Sequence, residues 1–158
     1  PASDKAVEIE AQKPRALHKG NETILLVDDQ DTTVEGGEEI LIELGYTVIT
    51  ARNGLEALAA YKENAQKIDM VILDMIMPDM GGGKTYDELK KINPDIRVLL
   101  SSGYSIDGQA TEILKRGCNG FIQKPFTIKT TDLQPLWVEK ILPITTSCLP
   151  IVRDVTQV

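Results

Sequence analysis

Along this chain, short β-rich runs alternate with stretches in which apolar residues recur every three or four positions. The runs at 23–27, 47–51, 70–73, 97–101 and 120–123 read as strands. Two of them, Ile24-Leu25-Leu26-Val27 and Met70-Val71-Ile72-Leu73, are apolar at every position, as a strand buried on both faces must be. The stretches at 32–44, 54–64, 82–92, 106–116 and 132–142 read as amphipathic helices. A strand followed by a helix, five times over, implies right-handed crossovers and a parallel sheet covered on both sides. The fold class this predicts is α/β: a single doubly wound (βα)5 domain.

Turn residues support these boundaries. Gly45 and Gly117 stand where a helix ends in the left-handed conformation, and Asn93-Pro94 stops the third helix. In the first helix Val34, Gly37, Leu41 and Leu44 share a face, but the Gly36-Gly37 pair costs roughly 1 kcal/mol per glycine relative to alanine, so this helix is expected to be locally weak. In the last, Leu133, Leu136, Trp137 and Ile141 share a face, Pro135 falls in the first turn after an Asp132 cap, and Pro143 ends it. Residues 1–21 are polar and aperiodic, and read as a linker or tail. Residues 22–142 form the expected domain, and 143–158 are an apolar, β-branched tail with no strand slot, for which burial against Trp137 or a second copy of the domain, a homodimer, is expected.

Composition narrows the functions available. The chain has 158 residues, 17 basic against 24 acidic, and a net charge of −7, which disfavours binding to a nucleic-acid backbone. Two cysteines, Cys118 and Cys148, and one histidine, His18, make a zinc site or a disulfide framework improbable and fit a reducing, cytoplasmic setting. No apolar run is long enough to span a bilayer, so no direct membrane contact is expected. A first residue other than methionine reads as a piece of something longer.

The chemistry gathers at the strand ends. Asp74 follows the third strand, Asp28-Asp29 the first, and Lys124-Pro125 the fifth, so three acids and a lysine meet at the carboxyl edge of one sheet, where open α/β sheets bind ligands. Adjacent carboxylates repel unless one is protonated or a cation sits among them. With oxygen donors only, the expected ion is Mg²⁺. A carboxylate beside Mg²⁺ can attack a phosphoryl group to give an acyl phosphate, with Lys124 supplying further positive charge, Ser102 a hydroxyl for a phosphate oxygen, and Gly103 space. Ser101 competes with Ser102 for that role.

Together, Leu25-Leu26-Val27-Asp28-Asp29, the segment from Val71 through Asp74-Met75-Ile76-Met77-Pro78-Asp79 to Gly82, Ser101-Ser102-Gly103-Tyr104 and Lys124-Pro125-Phe126 resemble the response-regulator receiver domain of two-component signalling. The resemblance implies a flavodoxin-like sheet of order 2-1-3-4-5. It implies that Asp74 is the phosphoacceptor, Asp29 a direct Mg²⁺ ligand, Asp28 a ligand through water, and the Ile76 carbonyl a further ligand. Lys124 would bond the phosphate across a cis Lys124-Pro125 peptide, Ser102 would be the switch hydroxyl, and Phe121 the aromatic that follows it. The implied partner is a histidine kinase or a histidine phosphotransfer domain. Pro1-Ala2-Ser3-Asp4 is similar to the end of a histidine-kinase ATP-binding domain, which suggests the C-terminal receiver of a hybrid kinase; a stand-alone regulator is the alternative. Gln30 departs from the acid common after the paired aspartates, and the glycine pair departs in the helix that docks phosphodonors.

Two other functions use similar parts. A haloacid-dehalogenase-like phosphatase also has a strand-end aspartate and Mg²⁺, but places an acid two residues later, where this chain has Ile76. A pseudo-receiver would be only a protein-binding scaffold, which the complete set Asp28, Asp29, Asp74, Ser102 and Lys124 disfavours. A dinucleotide site would need glycines after the first strand, where the acids would repel a pyrophosphate.

Overall fold

The computed structural model describes residues 20–103 and 108–125. Expectations for 1–19, Tyr104, the start of the fourth helix at 106–107, Phe126, the helix at 132–142 with Trp137, Cys148 and the tail at 143–158 lie outside the described residues, as does the dimer contact proposed for that tail.

Within them the element order is β1 (Thr23–Val27), α1 (Asp31–Glu43), β2 (Thr47–Ala51), α2 (Gly54–Asn64), β3 (Ile68–Asp74), α3 (Gly82–Ile92), β4 (Arg97–Ser102), α4 (Gly108–Lys115) and β5 (Gly120–Gln123). All strands are parallel and the sheet order is β2-β1-β3-β4-β5, as expected. The order reverses between β1 and β3, so the carboxyl ends of these two central strands open side by side onto the crevice at the switch point.

Several boundaries differ from expectation by one or two residues, among them the ends of α1 at Glu43 and of α4 at Lys115, each one residue early. β3 begins at Ile68 rather than Met70 because the Asp69 carboxylate accepts the Thr23 N–H at 2.8 Å and stitches the start of β3 to β1. β3 and β4 each run one residue further, because Asp74 pairs with Ser101 in register and Ser102 with Gln123. Helix α1 starts at Asp31, one residue early, after a Gln30 cap whose side chain makes no capping bond. Its buried residues are Val34, Gly37 and Leu41, on the expected face. Gly45 and Gly117 do take positive φ, and the Lys124-Pro125 peptide is cis.

Two apolar layers flank the sheet. On one side Ile24, Leu26, Met70, Ile72, Leu99 and Ile122 pack with Val34 and Leu41 of α1. On the other, Leu25, Val27, Val71, Leu73, Val98 and Leu100 pack with Ala57 and Tyr61 of α2, Tyr86 and Leu89 of α3, and Ala110 and Ile113 of α4. β1 is buried on both sides from Ile24 to Val27, so its chain has one way to exit: upward, into Asp28.

Two glycines set how closely the elements around the site approach. A Cβ on Gly82 would lie 2.3 Å from the Asp74 carbonyl oxygen and 2.8 Å from the Met75 Cα, so α3 presses its first turn against the backbone that carries Asp74. At Gly54 the obstacles are side chains, Thr85 Oγ1 at 2.3 Å and Met80 at 2.9 Å. Backbone cannot rotate away as a side chain can, so Gly82→Ala should destabilise the domain by about 1–3 kcal/mol and weaken divalent-ion binding as well. Denaturant melts with and without Mg²⁺ check this; unchanged stability and unchanged ion affinity would refute the close packing.

Candidate functional site

The site residues stand at the carboxyl ends of buried strands, on the last strand position or within two residues past it, where side chains leave the core but the backbone is still held by the sheet. Asp28 follows β1, its N–H donating to the Ala51 carbonyl at 3.1 Å. Asp74 ends β3, and the next N–H, of Met75, donates to Ser101 at 3.0 Å. Lys124 follows β5, its N–H donating to the Ser102 carbonyl at 2.8 Å. Ladder bonds therefore fix the relative positions of four strand ends before any side chain interacts.

These positions bring together the acids that the sequence singles out. One carboxylate oxygen from each of Asp28, Asp29 and Asp74 lies within 4.8 Å of the others. Asp28 and Asp74 are buried and Asp29 faces solvent. The Lys124 ammonium bridges the two buried acids, touching Asp28 Oδ2 and lying 3.1 Å from Asp74 Oδ1. Its side chain is only 13% exposed, so it is not a surface lysine stretching to water. Asp28 Oδ1 accepts the Gln30 N–H at 3.0 Å, which gives the residue at the expected acidic position a backbone role instead.

One cation for two buried acids leaves the cluster short of positive charge. Burial pushes the Asp74 carboxyl above its ordinary range; Lys124 opposes this by charge and hydrogen bond, Asp28 adds to it, and the Ile76 N–H opposes it. Although paired with Lys124, the buried Asp28 Oδ2 accepts no hydrogen bond of proper geometry. A hard divalent cation fits this donor set, which offers oxygen alone, carries excess negative charge and keeps an unsatisfied buried acceptor. Among the described residues this is the group of acids placed to hold a metal ion.

A cleft of about 770 Å³ opens over the cluster, lined by Asp29, Asp74, Ser102, Gly103 and Lys124 on the strand ends, by Ile76, and by Gln30, Gly36 and Ile40 along α1. Ser102 lines it and Ser101 does not. Gly103 contributes wall with no side chain, and a Cβ there would meet nothing within 4 Å. Ile76 is 59% exposed at the mouth. Phe121 lies behind the cleft, partly buried against the core on the α2–α4 side. Cys118 donates its S–H to the Val98 carbonyl at 3.0 Å and burial raises its thiol, in keeping with an unreactive role.

Two features escape sequence reading. Arg52, at the end of β2, pairs through Nε with Asp31 at 2.8 Å, a contact between loops 21 positions apart with no motif to announce it. Asp79 has φ of 63°, a left-handed aspartate in the loop after Asp74 that Asp-Met-Gly hints at only weakly.

Comparison with known proteins agrees with the geometry. The family model "Response regulator receiver domain" matches residues 24–133. The sensor kinase CckA of Brucella abortus (strain 2308) is 40% identical over 110 residues, which cover 70% of this chain and 12% of that protein. The chemotaxis protein CheY of Thermotoga maritima is 36% identical over 104 residues, covering 65% of this chain and 85% of its own. Among solved structures, the response regulator TrrA of Thermotoga maritima in complex with Mg²⁺-BeF superposes with a TM-score of 0.65 at 30% identity, covering 77% of this chain and 99% of that one.

The raised Asp74 ionisation has a definite sign. It is the charged form that the fold disfavours, so the stability contributed by this group is present at low pH and lost as pH rises through its raised ionisation. At neutral pH without metal, Asp74→Asn should therefore melt about 3 °C above the parent, lose that margin in acid, and gain little from Mg²⁺, whereas the parent gains. Thermal melts in chelator and in Mg²⁺ at two pH values measure this. A variant that melts below the parent in chelator would show that the cluster is not short of positive charge.

Proposed function

The chain belongs to the response-regulator receiver family, the phosphoacceptor switches of two-component signalling, and we propose that Asp74 is the residue that accepts the phosphoryl group. The observation that carries this reading is the Lys124 ammonium held between Asp28 and Asp74 beneath an open cleft. Receiver domains bind Mg²⁺ at an acidic pocket and interact with histidine kinases or phosphotransfer proteins. The family is a signalling phosphoacceptor and not a turnover enzyme.

On this reading Asp28, Asp29, Asp74 and the Ile76 carbonyl hold Mg²⁺. The ion supplies neutralisation of the phosphoryl oxygens and of the acids around them. The Asp74 carboxylate attacks phosphorus as the bond to the donor histidine nitrogen breaks, and the proton needed by the leaving imidazole stays on the donor ring. Lys124 shifts its charge from carboxylate to phosphoryl oxygen, Ser102 donates its hydroxyl to another, and Gly103 leaves room for the group. Phe121 turns into the space that Ser102 vacates, altering the surface of α4 and β5. The TrrA structure with Mg²⁺-BeF supports the same chemistry in a relative.

We assign 22–142 to the receiver domain. Because the chain spans 12% of the sensor kinase it matches, we further propose that it is the receiver of a larger hybrid kinase, working in the cytoplasm, with 1–21 as the linker from a kinase ATP-binding domain. No helix among the described residues is long and apolar enough to cross a membrane.

Intact-mass measurement after treatment with acetyl phosphate tests the acceptor. The parent should gain one phosphate only when Mg²⁺ is present, and Asp74→Asn none; a variant that still gains one would remove Asp74 from the role. The lifetime of the product tests Ile76, which is 59% exposed above the cleft and can neither donate a proton nor orient water. Ile76→Asn should shorten the lifetime severalfold, and an unchanged hydrolysis time course would show that the isoleucine does not shield phosphorus.

A further inference from the structure

Asp29 stands between two restrained residues, Asp28, whose N–H donates to the Ala51 carbonyl at 3.1 Å, and Gln30, whose N–H donates to Asp28 Oδ1 at 3.0 Å. Gln30 caps α1 through its backbone carbonyl alone, accepting from Thr33 and Val34 at 3.0 and 3.1 Å, and its side chain caps nothing. A second tie to the end of β2, this one through side chains, is the pair between Asp31 Oδ1 and Arg52 Nε, 2.8 Å long. Arg52 is itself anchored. Its N–H donates to Glu56 Oε2 at 2.8 Å, and Glu56 is locked to Asn53 by two reciprocal bonds of 2.9 and 3.0 Å at the start of α2. A continuous chain of bonds therefore runs from the α2 cap through Arg52 to Asp31, the first residue of α1 and two positions after Asp29.

Two further facts separate this pair from an ordinary surface contact. The side chains are 38% and 75% exposed, so the pair adds little to stability. At the same time Arg52 Nη1 is buried with no acceptor among the described residues, an arrangement that disfavours the rotamer on its own account.

We infer that Arg52 is a positioning residue for divalent-ion binding: through Asp31 it holds the β1–α1 loop so that Asp29 faces Asp28 and Asp74. The inference rests on the Mg²⁺ reading of the acidic cluster. It makes a prediction opposite in sign to simple electrostatics. Arg52 is a cation near a cation site, so as a mere charge its removal would tighten Mg²⁺ binding, and removal of Asp31 would weaken it. As a positioning pair, loss of either partner weakens binding, and loss of both is no worse than loss of one.

Calorimetric titration of Mg²⁺ into the full chain and into Arg52→Gln, Asp31→Asn and the double variant separates these outcomes, with metal-free melts confirming that each is folded. The expected result is about fivefold weaker binding in each single variant and in the double, with partial recovery in Arg52→Lys. Tighter or unchanged binding in Arg52→Gln, or additive effects of opposite sign, would overturn the inference while leaving the metal site intact. Absence of Mg²⁺ binding by the parent would overturn the reading of the cluster itself, and the inference with it.

Discussion

Everything at this sheet edge follows from asking one ammonium to neutralise two buried carboxylates while a third stands nearby in solvent. Lys124 sits against both Asp28 and Asp74, and no other described cation joins them. Three carboxylates and one ammonium leave two negative charges, the deficit that one divalent ion makes good. Removing that repulsion locally would be simple, since apolar residues at the same positions would pack. On the proposed reading that charge is the source of metal affinity, and the rest of the domain supplies the stability that the edge gives up.

That support comes from a separation between core and site. The sheet is apolar on both faces through Leu73 and Leu100, and the functional groups begin only at the next one or two positions. Ladder bonds to Asp28, Met75 and Lys124 hold the strand ends in place without calling on the site side chains. The charge state of the cluster can therefore change without unfolding the sheet beneath it. Gly82 serves the same end from the other side, since it lets α3 close on the Asp74 backbone and limits how far that strand end can move.

Much of this was legible from residues alone, and what was legible was the part written in period and punctuation. Buried strands show as unbroken apolar runs, helix ends as Gly45 and Gly117, and the site as the first charged residue after each run. The runs that read as strands stop one residue short of the strand ends at Asp74 and Ser102, because pairing with Ser101 and Gln123, rather than hydrophobicity, sets those ends. The bond from Thr23 to Asp69 and the pair of Arg52 with Asp31 were not legible at all. Each joins residues distant in sequence through side chains whose types suit any solvated loop, so only the fold reveals them.

The open side of the cleft bears on how the switch is used. Its wall along α1 includes Gly36 and Ile40, with the exposed Ile76 also in the lining. On the proposed reading a partner's imidazole approaches along that wall, and Ile76 at the mouth offers an incoming water no hydrogen bond. A Cβ at Gly36 would meet nothing within 4 Å, so a side chain there would project towards an incoming partner without disturbing the core. The glycine that weakens the helix by roughly 1 kcal/mol relative to alanine also keeps its outer surface flat beside the acceptor. Helix stability and access to Asp74 thus pull on the same residue in opposite directions, and the buried face of Val34, Gly37 and Leu41 is what lets access prevail.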